Sequence, residues 1–167
     1  MQKTCIIIAG PTAVGKTALA VALAKQYSTH IISADSRQCY RELSIGVAKP
    51  TAEEQQGIPH FFIDSHSIHD NVNAADFETY ALESAATIFK DHDIAIMVGG
   101  TGLYIRAFCQ GMDAMPVIPD DIREGIISNY QSNGIGWLQA QLQLLDPVYT
   151  AQGEMENPQR MMRALEI

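Results

Sequence analysis

Features that define several large classes of protein are scarce or missing in this sequence. It has only three cysteines, at positions 5, 39 and 109. An odd number of cysteines at such wide spacing excludes a disulfide scaffold and a CxxC zinc site, and it favours a reducing, cytoplasmic setting. No apolar run approaches the roughly 20 residues that a membrane helix needs. We therefore expect a protein with no membrane partner.

Basic residues are also scarce. The chain has 11 Lys and Arg residues against 19 Asp and Glu residues, a formal net charge of −8. Such a balance normally argues against a nucleic-acid partner. The excess is local, however, because residues 51–93 hold nine carboxylates and a single lysine, whereas the remaining residues carry equal numbers of acids and bases. A polyanion can therefore bind outside this acidic segment.

The apolar residues are numerous and regularly placed. They make up 47% of the 167 residues, which is enough for one packed domain with a small insertion. In the first two thirds of the chain, β-branched runs alternate with helical periodicity, and Asn73 is the predicted N-cap of the longer helix. This alternation predicts an α/β fold with a parallel sheet and flanking helices. The predicted strands cover residues 4–9, 30–34, 61–63 and 94–98, and the predicted helices cover residues 17–27 and 74–92.

The sequence pattern changes after Gly111, where the alternation of strands and helices stops. A linker with Pro116 and Pro119 leads into three predicted helices, at about 121–130, 137–145 and 158–167, the first capped by Asp120 or Asp121. We therefore expect an α/β core over residues 1–112 and a small all-helical insertion beginning at residues 113–167. Because the sequence closes inside an apolar helical stretch without a C-cap, we also expect the natural chain to be longer.

The strongest motif lies between the first predicted strand and the first predicted helix. It has the form G-x-x-x-x-G-K-[ST], in which loop N–H groups and the helix N-terminus bind phosphate oxygens, the lysine adds a cation and the last hydroxyl binds Mg²⁺. Together with the parallel sheet, it predicts a P-loop NTPase-like fold. The motif specifies a diphosphate or triphosphate without saying which one. Its residues are Gly10, Pro11, Thr12, Ala13, Val14, Gly15, Lys16 and Thr17.

Two further segments follow predicted strands and therefore lie at the same edge of the sheet. Asp35 follows the second strand, where a carboxylate can bind metal or act as a general base. Its alternative role is to cap a helix over residues 37–43. Gly99, Gly100 and Thr101 follow the strand at 94–98, where glycines permit a close approach to a ligand and Thr101 offers a hydroxyl. The alternative for this segment is a flexible turn.

Four segments taken together resemble one family. The sequences GPTAVGKT (10–17), DSRQCY (35–40), IGVAKP (45–50) and GGTGLY (99–104) match the order and spacing of the tRNA dimethylallyltransferases. Segments 60–64, 146–147 and 160–166 are also similar to family segments. The resemblance covers the whole chain, but family members continue well past residue 166, so this sequence resembles their N-terminal part.

The resemblance implies a reaction and its participants. The family transfers a dimethylallyl group, with Mg²⁺, from dimethylallyl diphosphate to the exocyclic N6 of the adenine adjacent to the tRNA anticodon. It implies that the phosphate loop holds the diphosphate, with Thr17 on Mg²⁺, that Asp35 accepts the amine proton and that Thr101 contacts the diphosphate or the nucleotide. We expect a monomer that binds the tRNA anticodon stem-loop. The residues that match tRNA-contacting positions are Asp35, Ser36, Arg37, Gln38, Thr101, Arg123, Gln159, Arg160, Met161, Met162 and Arg163.

Two other functions fit parts of the sequence. A small-molecule P-loop kinase would share the ATP-binding loop and the aspartate after the second strand, although the GGTGLY segment favours prenyl transfer. An inactive fragment that binds a nucleotide or RNA is the other alternative. If the chain is only the N-terminal part of an enzyme, we expect residues 1–167 alone to bind diphosphate weakly, to bind tRNA poorly and to show negligible transferase activity.

Overall fold

The structure is a computed structural model that describes residues 2–113, 116 and 118–167. Its contacts divide the chain into two compact units, Met1–Met112 and Asp113–Ile167. None of the helices in the described residues is both long and apolar enough to cross a membrane.

The first unit is a parallel sheet with flanking helices, and this confirms the predicted α/β fold. The strands are paired in the order β1-β4-β2-β3, with every pairing parallel. Since the first strand in sequence pairs with the last of the four, the intervening helices must cross over the sheet. The elements are β1 (Thr4–Ala9), α1 (Lys16–Gln26), β2 (Ile31–Ser33), α2 (Ala52–Gln55), β3 (His60–Phe61), α3 (Ala74–Asp91), β4 (Ile94–Gly99) and α4 (Gly102–Gln110).

The sheet buries apolar side chains on both faces, which explains the unbroken apolar runs in its strands. Side chains alternate along a strand, so Ile31 and Ile96 face one way while Ile32 and Met97 face the other. The first pair packs with the buried residues of α1, and the second pair packs with those of α3 and α4. Helices therefore cover the sheet on both faces, and the loops at its carboxyl edge follow these packed strands.

Several predicted elements differ in extent from the observed ones. The third strand ends at Phe61 because Phe62 has a φ of +66°, which lies outside the β region. No helix forms over residues 37–43; the chain turns there, and the Asp35 carboxylate accepts the Arg37 N–H at 3.0 Å. Helix α4 was not predicted, because it starts at Gly102, within the glycine segment that was interpreted as an approach to a ligand or, alternatively, a flexible turn.

The second unit is helical throughout its regular elements, as predicted. Leu138, Leu142, Met161 and Met162 form its core. The prediction that Asp120 or Asp121 caps the first helix is wrong, because that helix begins at Asp120 itself, after Pro119. The elements are α5 (Asp120–Asn133), α6 (Ile135–Leu145), α7 (Pro147–Gln152) and α8 (Pro158–Glu166).

The cap of α3 provides a test of this fold description. Asn73 accepts the N–H groups of Ala75 and Asp76, while Asp76 accepts the Asn73 N–H, so both halves of a capping box are present. We expect Asn73→Ala to lower the free energy of unfolding by about 1 kcal/mol, because two N–H groups lose their acceptor. Urea unfolding followed by circular dichroism measures this. The matched control is Asn71→Ala at an exposed position; equal losses in both variants would contradict the capping role.

Candidate phosphate-binding site

The phosphate loop joins β1 to α1 and is bent by residues in left-handed conformations. Ala13 has a φ of +67° and Gly15 a φ of +87°. Helix α1 then begins at Lys16 with no side chain capping its N-terminus. Its first-turn N–H groups therefore remain available to an anion, and the helix dipole favours negative charge at this end. The Lys16 ammonium folds back over the loop and donates to the Pro11 carbonyl at 2.5 Å.

The carboxyl ends of β1, β2 and β4 meet so closely that glycine is required. A Cβ added at Gly99 would lie 2.1 Å from the Ala34 carbonyl oxygen, and one at Gly100 would lie 3.3 Å from the Gly10 carbonyl oxygen. Backbone hydrogen bonds maintain this approach, because Ala34 donates to Val98 at 2.7 Å and Thr101 donates back to Ala34 at 3.1 Å. The glycines at 99–100 thus serve the contact between strand ends.

The Thr101 side chain is tied to the turn that carries Asp35. Its Oγ1 accepts the Ser36 N–H at 3.0 Å and lies 3.4 Å from the Ser36 hydroxyl. Asp35 in turn holds the Arg37 N–H through Oδ1. Two segments 65 residues apart in sequence are therefore joined at the residue next to Asp35.

A cavity of about 270 Å³ opens at this edge of the sheet. Lys16, Thr17 and Asp35, which the sequence predicted to lie at a common edge, all line it. Thr101 and the loop residues Gly10, Pro11 and Val14 do not line it. The lining residues are Thr12, Ala13, Gly15, Lys16, Thr17, Ala18, Asp35, Gln38, Ala48, Pro50, Glu54, Val98, Gly99 and Gly100.

One wall of the cavity was missed by motif reasoning from the residues. Ala48 and Pro50 come from the loop over residues 44–50, and Glu54 comes from the single turn of α2. The signal for this wall was the IGVAKP segment, which the resemblance included without assigning it a role. No local pattern shows that a loop following a turn folds back against the phosphate loop.

Burial raises the pKa of two titratable groups near Asp35. Desolvation raises the pKa of the Cys39 thiol to about 11 and that of the Tyr104 hydroxyl to about 12. At neutral pH Cys39 is therefore a protonated thiol packed in the core, and it cannot act as a nucleophile. All three cysteines are free, as the sequence indicated.

The second unit holds the other residues matched to tRNA contacts, and they divide into two groups. Met161 and Met162 are buried in the helical core, so their side chains face away from solvent. The arginines and Gln159 lie at the surface. The arginines are paired with acids that sequence reasoning missed. Arg160 pairs with Glu154, while Arg123 and Arg163 both reach Glu166, at 3.5 and 2.8 Å.

Comparison with known proteins decides the family. The family model described as IPP transferase matches residues 38–167. The chain belongs to the IPP transferase family. It is 46% identical to a tRNA dimethylallyltransferase from Cytophaga hutchinsonii and 43% identical to one from Christiangramia forsetii, in each case over 100% of this chain and 55% of the relative. The chain therefore spans about half the length of these curated IPP transferase relatives.

Solved structures of the family share the fold. The full-length tRNA isopentenylpyrophosphate transferase of Bacillus halodurans matches 99% of this chain and 55% of its own, with 37% identity and a TM-score of 0.66. A eukaryotic dimethylallyltransferase, described as acting on tRNA, matches 100% of this chain and 41% of its own, with 27% identity and a TM-score of 0.78. These likenesses agree with the P-loop NTPase-like sheet described above.

The close contact at Gly99 provides a second test. Gly99→Ala forces a methyl group against the Ala34 carbonyl, so we expect a loss of about 1–3 kcal/mol in the free energy of unfolding. The control is Gly102→Ala, three residues on, where an added Cβ has no neighbour within 4 Å. Urea unfolding compares the two. A Gly99→Ala variant as stable as the control would show that the strand ends do not approach as described.

Proposed function

We propose that this protein is the N-terminal part of an enzyme that transfers a dimethylallyl group from its diphosphate to the exocyclic N6 of an adenine beside the tRNA anticodon. The observation that carries the proposal is the cavity in which Lys16, Thr17 and Asp35 meet. This combination supplies what prenyl transfer needs, namely a site for a diphosphate leaving group beside a base for the attacking amine. Membership of the IPP transferase family supports the same reaction.

In this proposal the phosphate loop stabilises the leaving group. As the bond from the allylic carbon to the diphosphate oxygen breaks, negative charge collects on the diphosphate. The loop N–H groups and the N-terminus of α1 are in position before the reaction starts, so they stabilise this charge with little reorganisation. The Lys16 ammonium adds a positive charge when it turns from the Pro11 carbonyl to the diphosphate. Positive charge develops at the same time on the allylic carbon. Because the bond to the diphosphate is breaking as this charge develops, stabilising the leaving diphosphate lowers the barrier to the reaction.

Mg²⁺ fits the residues present. Thr17 lines the cavity and presents a hydroxyl oxygen, a kind of ligand that Mg²⁺ accepts, and this leaves Asp35 unligated. In the described residues no group of three or more His, Cys, Asp or Glu side chains is positioned to hold a metal ion, so few protein ligands would bind it, with diphosphate and water completing the set. When bound, Mg²⁺ supplies further positive charge for the leaving diphosphate.

Asp35 is the proposed base. Its Oδ1 is held by the Arg37 N–H, which orients the carboxylate and leaves Oδ2 for the proton of the adenine amine. The new bond joins N6 to the allylic carbon, and the amine proton passes to the carboxylate. Thr101 contacts the diphosphate or the nucleotide in this proposal, and it also fixes the turn that bears the base.

The tRNA contacts are proposed on both units. In the first unit the turn of Asp35, Ser36, Arg37 and Gln38 lies at the cavity. In the second unit, Arg123, Gln159, Arg160 and Arg163 lie on helices α5 and α8 and supply the positive charge and polar groups for the phosphate backbone. The buried Met161 and Met162 support that surface from within, packed against the core of the unit.

A transfer assay tests the function. Labelled dimethylallyl diphosphate and tRNA are incubated with Mg²⁺ and either the 167-residue chain or the product of its whole reading frame. We expect label on the tRNA with the longer protein and little with the short chain. A parallel incubation replaces dimethylallyl diphosphate with labelled ATP. Phosphoryl transfer from ATP, together with no prenyl transfer in the first assay, would contradict the proposal and support a kinase.

Lys16 is tested by binding. We expect Lys16→Ala to weaken the binding of inorganic diphosphate by roughly 10- to 100-fold, because a charged donor to the diphosphate is lost. Isothermal titration measures the dissociation constants. Lys25→Ala, at the opposite end of α1, is the control for removing a lysine. A change within twofold for Lys16→Ala would show that this loop is not the diphosphate site.

The role of Asp35 as the base is tested by the rate of prenyl transfer. Asp35→Asn keeps an acceptor for the Arg37 N–H but removes the base, so we expect kcat for prenyl transfer to fall by on the order of 10²–10⁴-fold while tRNA affinity changes little. Asp91→Asn, at the exposed end of α3, is the control. A variant that retains most of its rate would remove Asp35 from this role.

The arginines of α8 are tested through salt dependence. Replacing Arg160 and Arg163 with alanine should weaken binding of a tRNA anticodon stem-loop and lower the slope of log affinity against log salt by about one unit per lost phosphate contact. Arg106→Ala, an exposed arginine on α4, is the control. Full retention of RNA binding would mean that these arginines serve only their pairs with Glu154 and Glu166.

A further inference from the structure

The side chain of Gln38 is committed to contacts within the protein. Its carbonyl oxygen accepts the Ser33 hydroxyl at 3.0 Å, and its amide nitrogen donates to the Ala48 and Val47 carbonyls at 3.0 and 3.4 Å. The orientation of the amide follows from these partners. In the flipped orientation the Gln38 carbonyl oxygen would lie against the carbonyl oxygens of Val47 and Ala48, and none of the three can donate a hydrogen bond. Both amide hydrogens are used, and only one carbonyl lone pair remains for another partner.

These bonds join the sheet to the wall of the cavity. Ser33 is the last residue of β2 and is buried in the scaffold, whereas Ala48 lines the cavity. Gln38 is therefore a direct link between a rigid strand and the loop over residues 44–50. No other hydrogen bond in the described residues connects that loop to β2.

The loop needs such a link because its conformation is unfavourable by itself. It contains no helix or strand, and Ala48 has a φ of +47°, a left-handed conformation that residues with a Cβ rarely adopt. Such a residue persists only where its surroundings hold it in place. The Gln38 amide holds it by binding the carbonyl of Ala48 itself.

Separate contacts hold the C-terminal end of the loop, at Lys49 and Pro50. Lys49, whose side chain is 13% exposed, binds the Asp64 carboxylate at 2.6 Å and the Tyr40 carbonyl. Gln55 of α2 donates to the Pro50 carbonyl at 3.1 Å. These contacts fix the base of the loop, so losing the Gln38 bonds frees the middle of the loop without detaching it.

We propose that Gln38 is a positioning residue for the diphosphate substrate. By fixing Val47 and Ala48 it holds the wall formed by Ala48 and Pro50 against the phosphate loop, so that the cavity has its binding shape before the substrate arrives. This inference rests on the proposed function, and it differs from the tRNA contact that family resemblance implies for Gln38. It predicts that Gln38 affects dimethylallyl diphosphate binding when no tRNA is present.

The test compares Gln38→Met with Gln26→Met. Both substitutions replace an amide by a thioether of similar length, but Gln26 lies exposed at the end of α1, away from the loop. Titration with dimethylallyl diphosphate and Mg²⁺, without tRNA, should show binding weakened about tenfold or more in Gln38→Met and unchanged in Gln26→Met. Hydrogen–deuterium exchange of peptides covering residues 44–50 should be faster in Gln38→Met alone.

A double-mutant cycle keeps the test decisive if Gln38→Met disturbs the fold. Ser33→Ala removes only the bond that orients the amide, so we expect a smaller loss of binding in the same direction. Because both substitutions break one chain of contacts, the double variant should bind no more weakly than Gln38→Met. Additive losses would overturn the proposed link.

The remaining outcomes separate this inference from the proposed function. If the unaltered protein binds dimethylallyl diphosphate and Gln38→Met binds it within twofold, the positioning role is wrong while the function stands. If the unaltered protein does not bind dimethylallyl diphosphate, the proposed function fails. The hydrogen–deuterium exchange measurement still tests whether Gln38 holds the loop over residues 44–50. Unchanged exchange over residues 44–50 in Gln38→Met would overturn the inference in either case.

Discussion

The contact between Gly99 and the Ala34 carbonyl sets the geometry on which the phosphate site depends. Strand β4 lies between β1 and β2, so its end meets the loops that follow both neighbours. With no Cβ at Gly99, those backbones approach closely enough for Thr101 to bond to Ala34 and, through its side chain, to Ser36. The phosphate loop and the turn bearing Asp35 consequently share one cavity. A larger residue at position 99 would move the Asp35 turn away from the loop that carries Lys16.

The charges of the two units are arranged in different ways. At the loop between β1 and α1, positive potential comes from the Lys16 ammonium and from backbone N–H groups at the start of α1, in a chain with a formal net charge of −8. Such a site binds an anion locally, without a basic surface. In the second unit, Arg123 and Arg163 converge on Glu166, whose side chain is only 4% exposed. That buried carboxylate fixes two long side chains that would otherwise lose more conformational freedom on binding a partner.

Local patterns were sufficient to predict the strand and helix on either side of the loop over residues 10–15, the parallel strands and the Asn73 cap, because each depends on residues close together in sequence. The meeting of Lys16, Thr17 and Asp35 also followed, since parallel strands end at one edge of the sheet. The bond from Gln38 to Ala48 could not be predicted, because it depends on a left-handed alanine that no local signal reveals. The partners of Arg123 and Arg163 depend on how α5 and α8 pack, and helix α4 was hidden by its initial glycine.

The central claim is that the cavity selects a prenyl diphosphate, with the phosphate loop holding a leaving group. The most direct measurement is a competition titration of the protein with dimethylallyl diphosphate and ATP, each with and without Mg²⁺. The account predicts tighter binding of dimethylallyl diphosphate, strengthened by Mg²⁺. A clear preference for ATP would contradict it and would make the cavity a nucleotide site.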